Sequence, residues 1–388
     1  MSDSQASPIL IAGIPSHNMT FQHRIRFSVG DPAAFIEWSR DGAIHRTLII
    51  RDIEMDRARK EVAVDEVKCP ADFSPESGLS GDREIATAQA VAEMLVRNGF
   101  EEVVSDRSLP LAFLDQLRER GIAVHCDYDL GVLDRRTKDD QEIEYLARAQ
   151  EVTEQAMRMA CETIANAEAN ADGVLQVDGR PLDSERVRAM IDHFFLDRGF
   201  TSPPSIVAGG VIGADCHDIG RGSLKTGEPV IVDIFPRDNA TLYNGDCTRS
   251  VVHGDVPDRI RDMHATVVEA KDAAEAVVRA GVTGQAVHEA AIGVIRARGY
   301  EVGLPDADAP ADYCGMVHGT GHGIGLEVHE LPLLDFGGPE ILCGDALTIE
   351  PGLYSRAIGG IRVEDMVIVQ EDGCRNLNRL PVGLDWRS

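Results

Sequence analysis

Hydrophobic positions along the chain follow two regimes. Up to about residue 135, short apolar runs at 47–50, 102–105 and 122–126 read as strands, while 85–97 and 111–120 carry apolar residues at helical spacing. That alternation predicts an α/β domain. Residues 134–140, six of the seven charged, break the apolar pattern and mark a boundary, so domains are expected at 1–135 and 136–388. Beyond it the order of elements repeats. Helical periodicity over about 142–165 and 184–198 precedes a strand-rich stretch at 205–253, and helical periodicity over about 257–280 and 284–298 precedes another at 314–370. This order predicts an α+β domain with pseudo-twofold halves, two sets of strands facing one cleft suited to a site.

Composition narrows the classes. A chain of 388 residues exceeds the ~100 to 200 typical of one domain. Its formal net charge of −27 opposes binding to nucleic acid or to an anionic membrane, and no apolar run reaches the ~18 residues of a spanning helix. The polar opening and the short apolar stretch at 9–14 do not fit an export signal, so cytoplasmic residence is expected. Eight cysteines without a CxxC pair indicate neither a disulfide framework nor a thiolate zinc site, and are expected to be small buried side chains.

The first acid of interest is Asp233, inside the apolar run 229–235. A carboxylate there is desolvated if the strand is central, which costs several kcal/mol unless a cation or strong donors compensate. Otherwise it marks the strand end and caps the turn at Pro236. A turn-rich stretch and Asn244-Gly245 follow, suggesting a hairpin centred between Asn239 and Ala240 with Asp233 and Asp246 as cross-strand neighbours. Two facing carboxylates repel unless they share a proton or a metal.

Residues 318–330 hold His318, His322 and His329 among alternating glycines. The pattern disfavours a helix and suggests extended backbone closely approached by a ligand or another strand. Neither HExxH nor GxGxxG is present. Glu350 ends the apolar stretch 346–349, and Glu364 stands two residues after Arg362 on a strand-like segment, where an ordinary Arg362–Glu364 pair is the plain alternative.

Asp233, Asp246, His322, Glu350 and Glu364, in this order and with GHGIG and IEPGLY around two of them, resemble the dinuclear metallopeptidases of the pita-bread fold. That family includes methionine aminopeptidase, Xaa-Pro aminopeptidase, proline dipeptidase and creatinase. The resemblance covers roughly residues 142–370, and the preceding α/β domain suits the creatinase and Xaa-Pro peptidase branch. It implies an α/β N-terminal domain followed by a pita-bread catalytic domain, hydrolysing the Xaa-Pro bond at the N-terminus of short proline-containing peptides through a metal-bridging hydroxide. The five residues become metal ligands, with Asp233 on one ion, His322 and Glu350 on or near the other, and Asp246 and Glu364 bridging. His217, His318 and His329 surround substrate. His329 stabilises the oxyanion and Glu350 shuttles the proton. Arg362 orients Asp246 or Glu364 from behind.

Four carboxylates offset the charge of two divalent ions, and oxygen-rich ligation with one imidazole suits manganese, with cobalt, iron and zinc as alternatives. Creatinase itself lacks the metal set that this chain retains. The interval from Asp233 to Asp246 is two residues longer than in most relatives, which preserves facing if one residue is added to each strand. The Asn, Tyr, Leu and Gly pattern common in the N-terminal domain of this branch is missing. Residues 330–342 contain no lysine or arginine, although several proline dipeptidases hold a substrate carboxylate with an arginine there. Tripeptides are therefore expected to be cleaved at least as well as dipeptides. Competing readings are a proline dipeptidase, a non-peptide C–N hydrolase or lyase on the same scaffold, and a binding protein without activity. The family admits a homodimer.

Overall fold

The structure, a computed structural model, describes residues 7–40, 42–306, 308–310 and 312–387. It forms two compact units, Met1–Arg135 and Arg136–Ser388. In the first, β1 (Ile9–Gly13), β2 (Ala33–Arg40), β3 (Ala43–Ile49), β4 (Glu66–Lys68), β5 (Glu102–Ser105) and β6 (Ala123–Cys126) build a mixed sheet of order β4-β3-β2-β1-β5-β6. Its helices are α1 (Met19–Ile25), α2 (Met55–Glu61), α3 (Arg83–Arg97) and α4 (Leu111–Glu119). Leu10, Ile36 and Ile49 pack with Val91, Leu95 and Phe113 of α3 and α4 on one face. Ile11, Phe35 and Leu48 pack with Phe21 and Ala58 of α1 and α2 on the other. Successive residues of the central strands thus enter opposite layers, both of them apolar.

The second unit contains two helix–helix–sheet halves. Helices α5 (Asp140–Ala165) and α6 (Ser184–Leu196) cover an antiparallel sheet of β7 (Ile206–Gly209), β8 (Pro229–Ile234) and β9 (Cys247–Val252) in the order β7-β8-β9. Asp139 starts α5 through a capping box with Glu142, satisfying N–H groups that the first turn leaves open. Met157, Ile164, Val187 and Phe195 of the helices bury Val230, Val232 and Val251 of the sheet.

Helices α7 (Asp258–Val277) and α8 (Gly284–Ala297) serve the other half. One of its sheets joins β10 (Glu301–Val302), β11 (Cys314–Met316), β15 (Gly352–Ser355) and β16 (Gly359–Arg362). The other has β12 (Gly321–Gly323) between β13 (Glu330–Leu334) and β14 (Ala346–Ile349), followed by β17 (Asp365–Gln370) and β18 (Gly373–Asn376). Among the described residues no helix is long and apolar enough to cross a membrane.

One local expectation needs correction, that for the cysteines. The charged run near residue 135 is itself tied down. Arg136 pairs with Asp345 at 2.6 Å and Lys138 with Glu330 at 2.9 Å, all four side chains buried. Of the eight cysteines, all unpaired, only Cys161, Cys247 and Cys314 are buried, while Cys126 and Cys343 are exposed. Small size permits burial, but position in the fold decides it.

Candidate metal centre

In β8 the alternation is strict. Val230, Val232 and Ile234 enter the helix-covered core, so Ile231 and Asp233 face the other way. Asp233 lies opposite Thr248, not Asp246. The hairpin is centred one residue later than expected, because Asp238 and Tyr243 close the loop Asn239 to Leu242. The Asp238 carboxylate accepts the Ala240 N–H, and Leu242 takes a left-handed φ of 67°. Asp246 is therefore diagonal to Asp233 rather than opposite. A displacement of two residues preserves the face, so both carboxylates line the same cavity.

Asn244-Gly245 is not a turn. Asn244 gives its backbone and side-chain N–H groups to the Gly325 carbonyl at 3.0 and 2.9 Å. A Cβ on Gly245 would stand 2.1 Å from the Thr153 hydroxyl of α5, so glycine permits the close approach that seats Asp246. Gln150 of α5 then clamps Asp246, donating to its carbonyl at 2.6 Å and accepting its N–H at 2.9 Å.

From the other half, β12 presents His322 between Gly321 and Gly323. A Cβ on these glycines would lie 2.0 Å from the Thr348 carbonyl oxygen and 2.2 Å from that of Leu331. The extended backbone expected from the glycines is present, approached by strands on both sides. His322 Nδ1 contacts the Gly323 carbonyl at 3.0 Å; a carbonyl only accepts, so Nδ1 carries the proton. The Nε2 lone pair then points at Glu350 (3.5 Å) and Asp246 (3.9 Å). One ligand atom each from Asp246, His322 and Glu364 lie within 4.8 Å of one another. A lone pair facing carboxylates is repulsive until a cation is shared among them.

The charge states agree. Burial, then Glu364 and its fellow acids, pushes the Asp246 carboxyl well above its ordinary range. Glu364 is raised by burial and by Glu350, and burial lifts Glu350 to about 7. His322 falls to about 4 through burial and the neighbouring His329. The donor set is oxygen-rich, and its imidazole is neutral at physiological pH.

Asp233 differs from the compact triad. Its Oδ2 accepts a 2.6 Å bond from Arg362, whose other donors reach Tyr354 Oη at 2.7 Å, the Cys216 carbonyl at 3.2 Å and Thr248 at 3.3 Å. Arg362 thus holds Asp233 directly rather than Asp246 or Glu364. It reaches Glu364 only through Thr248, whose hydroxyl donates to that carboxylate at 2.7 Å.

All three histidines expected around substrate line the same cavity of about 290 Å³. His318 has both nitrogens engaged, with Nδ1 donating to Gly319 (2.8 Å) and Nε2 accepting from Tyr354 (2.7 Å). His329 packs edge-on against His322, ring centroids 4.3 Å apart, and burial followed by His217 lowers its pKa. His217 is exposed, and its backbone N–H donates to the Asp215 carboxylate at 3.0 Å. Ile206, Phe235, Val328 and Leu333 give the cavity an apolar side.

The sequence reading missed Tyr354, Thr248, Gln150 and the Lys138–Glu330 pair. Of these, Tyr354 stood within the quoted IEPGLY motif and was the one within reach.

This fold and donor set define a metallopeptidase class. Residues 144–371 match metallopeptidase family M24; the chain belongs to that family and has its pita-bread fold with a preceding N-terminal domain. An Xaa-Pro dipeptidase of Pyrococcus furiosus is 28% identical over 63% of this chain and 64% of its own length. A probable dipeptidase, PepE, of Mycobacterium tuberculosis is 38% identical over 45% of this chain and 44% of its own. The structure of an X-Pro aminopeptidase from Thermotoga maritima superimposes with a TM-score of 0.78 at 23% identity, covering 97% of this chain and 96% of that one. The chain thus spans less than two thirds of the length of these two sequence relatives in the matched regions.

Proposed function

We propose that the chain is a dinuclear metal-dependent exopeptidase that removes the N-terminal residue from Xaa-Pro peptides, nearer the aminopeptidases than the dipeptidases. The observation that carries this reading is the convergence of Asp246, His322 and Glu364 within 4.8 Å, with Glu350 facing the same imidazole nitrogen. Asp233 would hold one ion and His322 with Glu350 the other, while Asp246 and Glu364 bridge. The hard donor set favours manganese, with cobalt, iron and zinc as alternatives. Bound, the ions would supply Lewis acidity and a water ionised near neutral pH.

The chain's own residues supply the rest. His329, neutral beside His322, offers an N–H to the carbonyl oxygen as negative charge develops. Glu350 takes a proton from the attacking water and gives it to the proline nitrogen, which leaves as a secondary amine. His217 and His318 wall the substrate, and the tie from Tyr354 fixes His318. The apolar side formed by Ile206, Phe235, Val328 and Leu333 suits a pyrrolidine ring. Arg362 neutralises Asp233 and is thereby occupied, and residues 330–342 offer no cation for a dipeptide's carboxylate. That pattern favours longer peptides.

The test is direct. Manganese-loaded protein should contain two ions per chain and cleave Xaa-Pro-Yaa peptides. Metal binding without cleavage of any Xaa-Pro peptide would redirect the reading to a non-peptide C–N hydrolase or a lyase.

A further inference from the structure

Asp335 is the one acidic cavity-lining residue outside the buried cluster, among the described residues. It follows β13, where Leu331 and Leu333 alternate onto the accessible face, and period two carries Asp335 onto that face as well. Its side chain is 46% exposed. Three contacts fix it. Oδ1 accepts the Phe336 N–H at 2.7 Å and lies 3.5 Å from His288 Nε2. Oδ2 sits against Gly319, where a Cβ would come within 3.2 Å. His288 is itself held by Thr320, at 2.9 Å between Nδ1 and the hydroxyl, and by the edge of Phe336. No lysine or arginine occurs in residues 330–342, and Arg362, the one guanidinium lining the cavity, is engaged by Asp233 and Tyr354.

The position along the strand decides what Asp335 can meet. His322 pairs with Leu333, and Asp335 stands two residues further along that strand, roughly 7 Å of extended chain. A substrate's N-terminal ammonium is two bonds from the scissile carbonyl carbon and must stay within about 3 Å of it, at the cluster's end of that interval. The residue after proline begins about two peptide units away and its side chain reaches further.

We propose that Asp335 is a specificity residue that selects peptides with a basic residue immediately after the proline. This rests on the Xaa-Pro reading given above. A lysine or arginine there would meet an anchored carboxylate without a competing cation, whereas a glutamate would meet like charge in a cavity already rich in acids.

The test compares kcat/KM for Ala-Pro-Lys, Ala-Pro-Ala, Ala-Pro-Glu and Lys-Pro-Ala with the manganese-loaded wild type, Asp335→Asn and Asp335→Lys. The asparagine variant keeps an acceptor for the Phe336 N–H and removes only the charge. Wild type should favour Ala-Pro-Lys over Ala-Pro-Glu by about 10-fold; Asp335→Asn should compress this to within about 2-fold and Asp335→Lys should invert it. In the wild type alone, the ratio should shrink as salt rises from about 20 to about 500 mM, which keeps the proposal testable if a variant does not fold. Equal rates on the Lys and Glu peptides, an unchanged ratio in Asp335→Asn, or a preference residing in Lys-Pro-Ala instead would overturn it. Failure of the metal-bound wild type to cleave any of the four would overturn the Xaa-Pro reading, and this inference with it.

Discussion

Glu364 and Asp365 are adjacent in the chain, and both are buried, yet they belong to clusters of opposite character. Asp365 receives Arg249 at 2.7 Å and Lys271 at 2.8 Å, with Asn376 at 3.0 Å and Glu275 on the far side of the lysine. Two cations there meet the carboxylates of Asp365 and Glu275, with the exposed Asp272 a third at the rim, 3.5 Å from Lys271. Although burial opposes its charge, Arg249 and Lys271 hold Asp365 below its ordinary range. Glu364, one residue earlier, joins Asp233, Asp246 and Glu350 around Arg362 alone, and burial pushes it far up. A balanced cluster closes on itself and fastens strands, while an unbalanced one has a deficit that external cations can fill. Arg249, with 0% of its side chain exposed, also donates to the Glu364 carbonyl. The closed cluster thus fixes the backbone on which the open one is built.

This contrast can be broken most severely at the shared peptide. Glu364→Ala should abolish turnover and lower metal content, whereas Asp365→Asn should cost about 3 to 5 kcal/mol of stability while folded molecules still take up metal. Elemental analysis beside denaturant unfolding separates the two, and a reversed outcome would show that the clusters are misassigned.

The histidines sharpen the open side. His329→Ala should lower kcat by ~10² with metal retained, the scale of losing one donor to a developing oxyanion, and His322→Ala should lose metal. Equal metal loss in both variants would dissolve the distinction between ligand and donor.

A smaller effect distinguishes the clusters by pH. Without metal, the raised carboxyls stabilise the fold below their unfolded range, and this contribution is lost as pH rises through the folded values, about 7 for Glu350. His322, lowered to about 4, stays neutral throughout that rise. Bound cations reverse the loss, so the increase in Tm on adding manganese should grow from about pH 5 to about pH 8. Asp365 has the opposite sign: its contribution is present above the ordinary carboxylate range and fails only in acid. A metal-induced increment that stays flat across this range, followed by calorimetry, would mean the acids are not coupled to the ions.

Smallest of all is the choice of peptide length. Tripeptides should be cleaved at least as well as Xaa-Pro dipeptides. A dipeptide preference above about 10-fold in kcat/KM, near 1.4 kcal/mol, would reveal a cation for the carboxylate that residues 330–342 lack.

What the chain made legible depended on how local each cause was. Helices α3 and α5 to α8 show one apolar stripe each, and their periodicity located them within a few residues. Strands β1 and β2 bury both faces and so lack the alternation that marks a half-exposed strand. The hairpin register failed by two because an aspartate-braced loop set the centre one residue beyond the midpoint expected between Asn239 and Ala240. The proposed ligands were found because their residue types and neighbours form a familiar order. Gln150, Lys138 and His288 act on partners 96, 192 and 32 residues distant, and no pattern along the chain announces such pairings.

The strand carrying His322 and the strand beside it differ in how freely they can vary. A methyl group added at Gly321 or Gly323 collides with a neighbouring carbonyl, so β12 offers drift almost no single step that keeps its place. Leu331 and Leu333 on β13, and Asp335 just beyond it, have accessible side chains. Variation among descendants of this scaffold, or in a laboratory library, would then accumulate along β13 and alter which peptides enter, while the reaction chemistry passes through unedited.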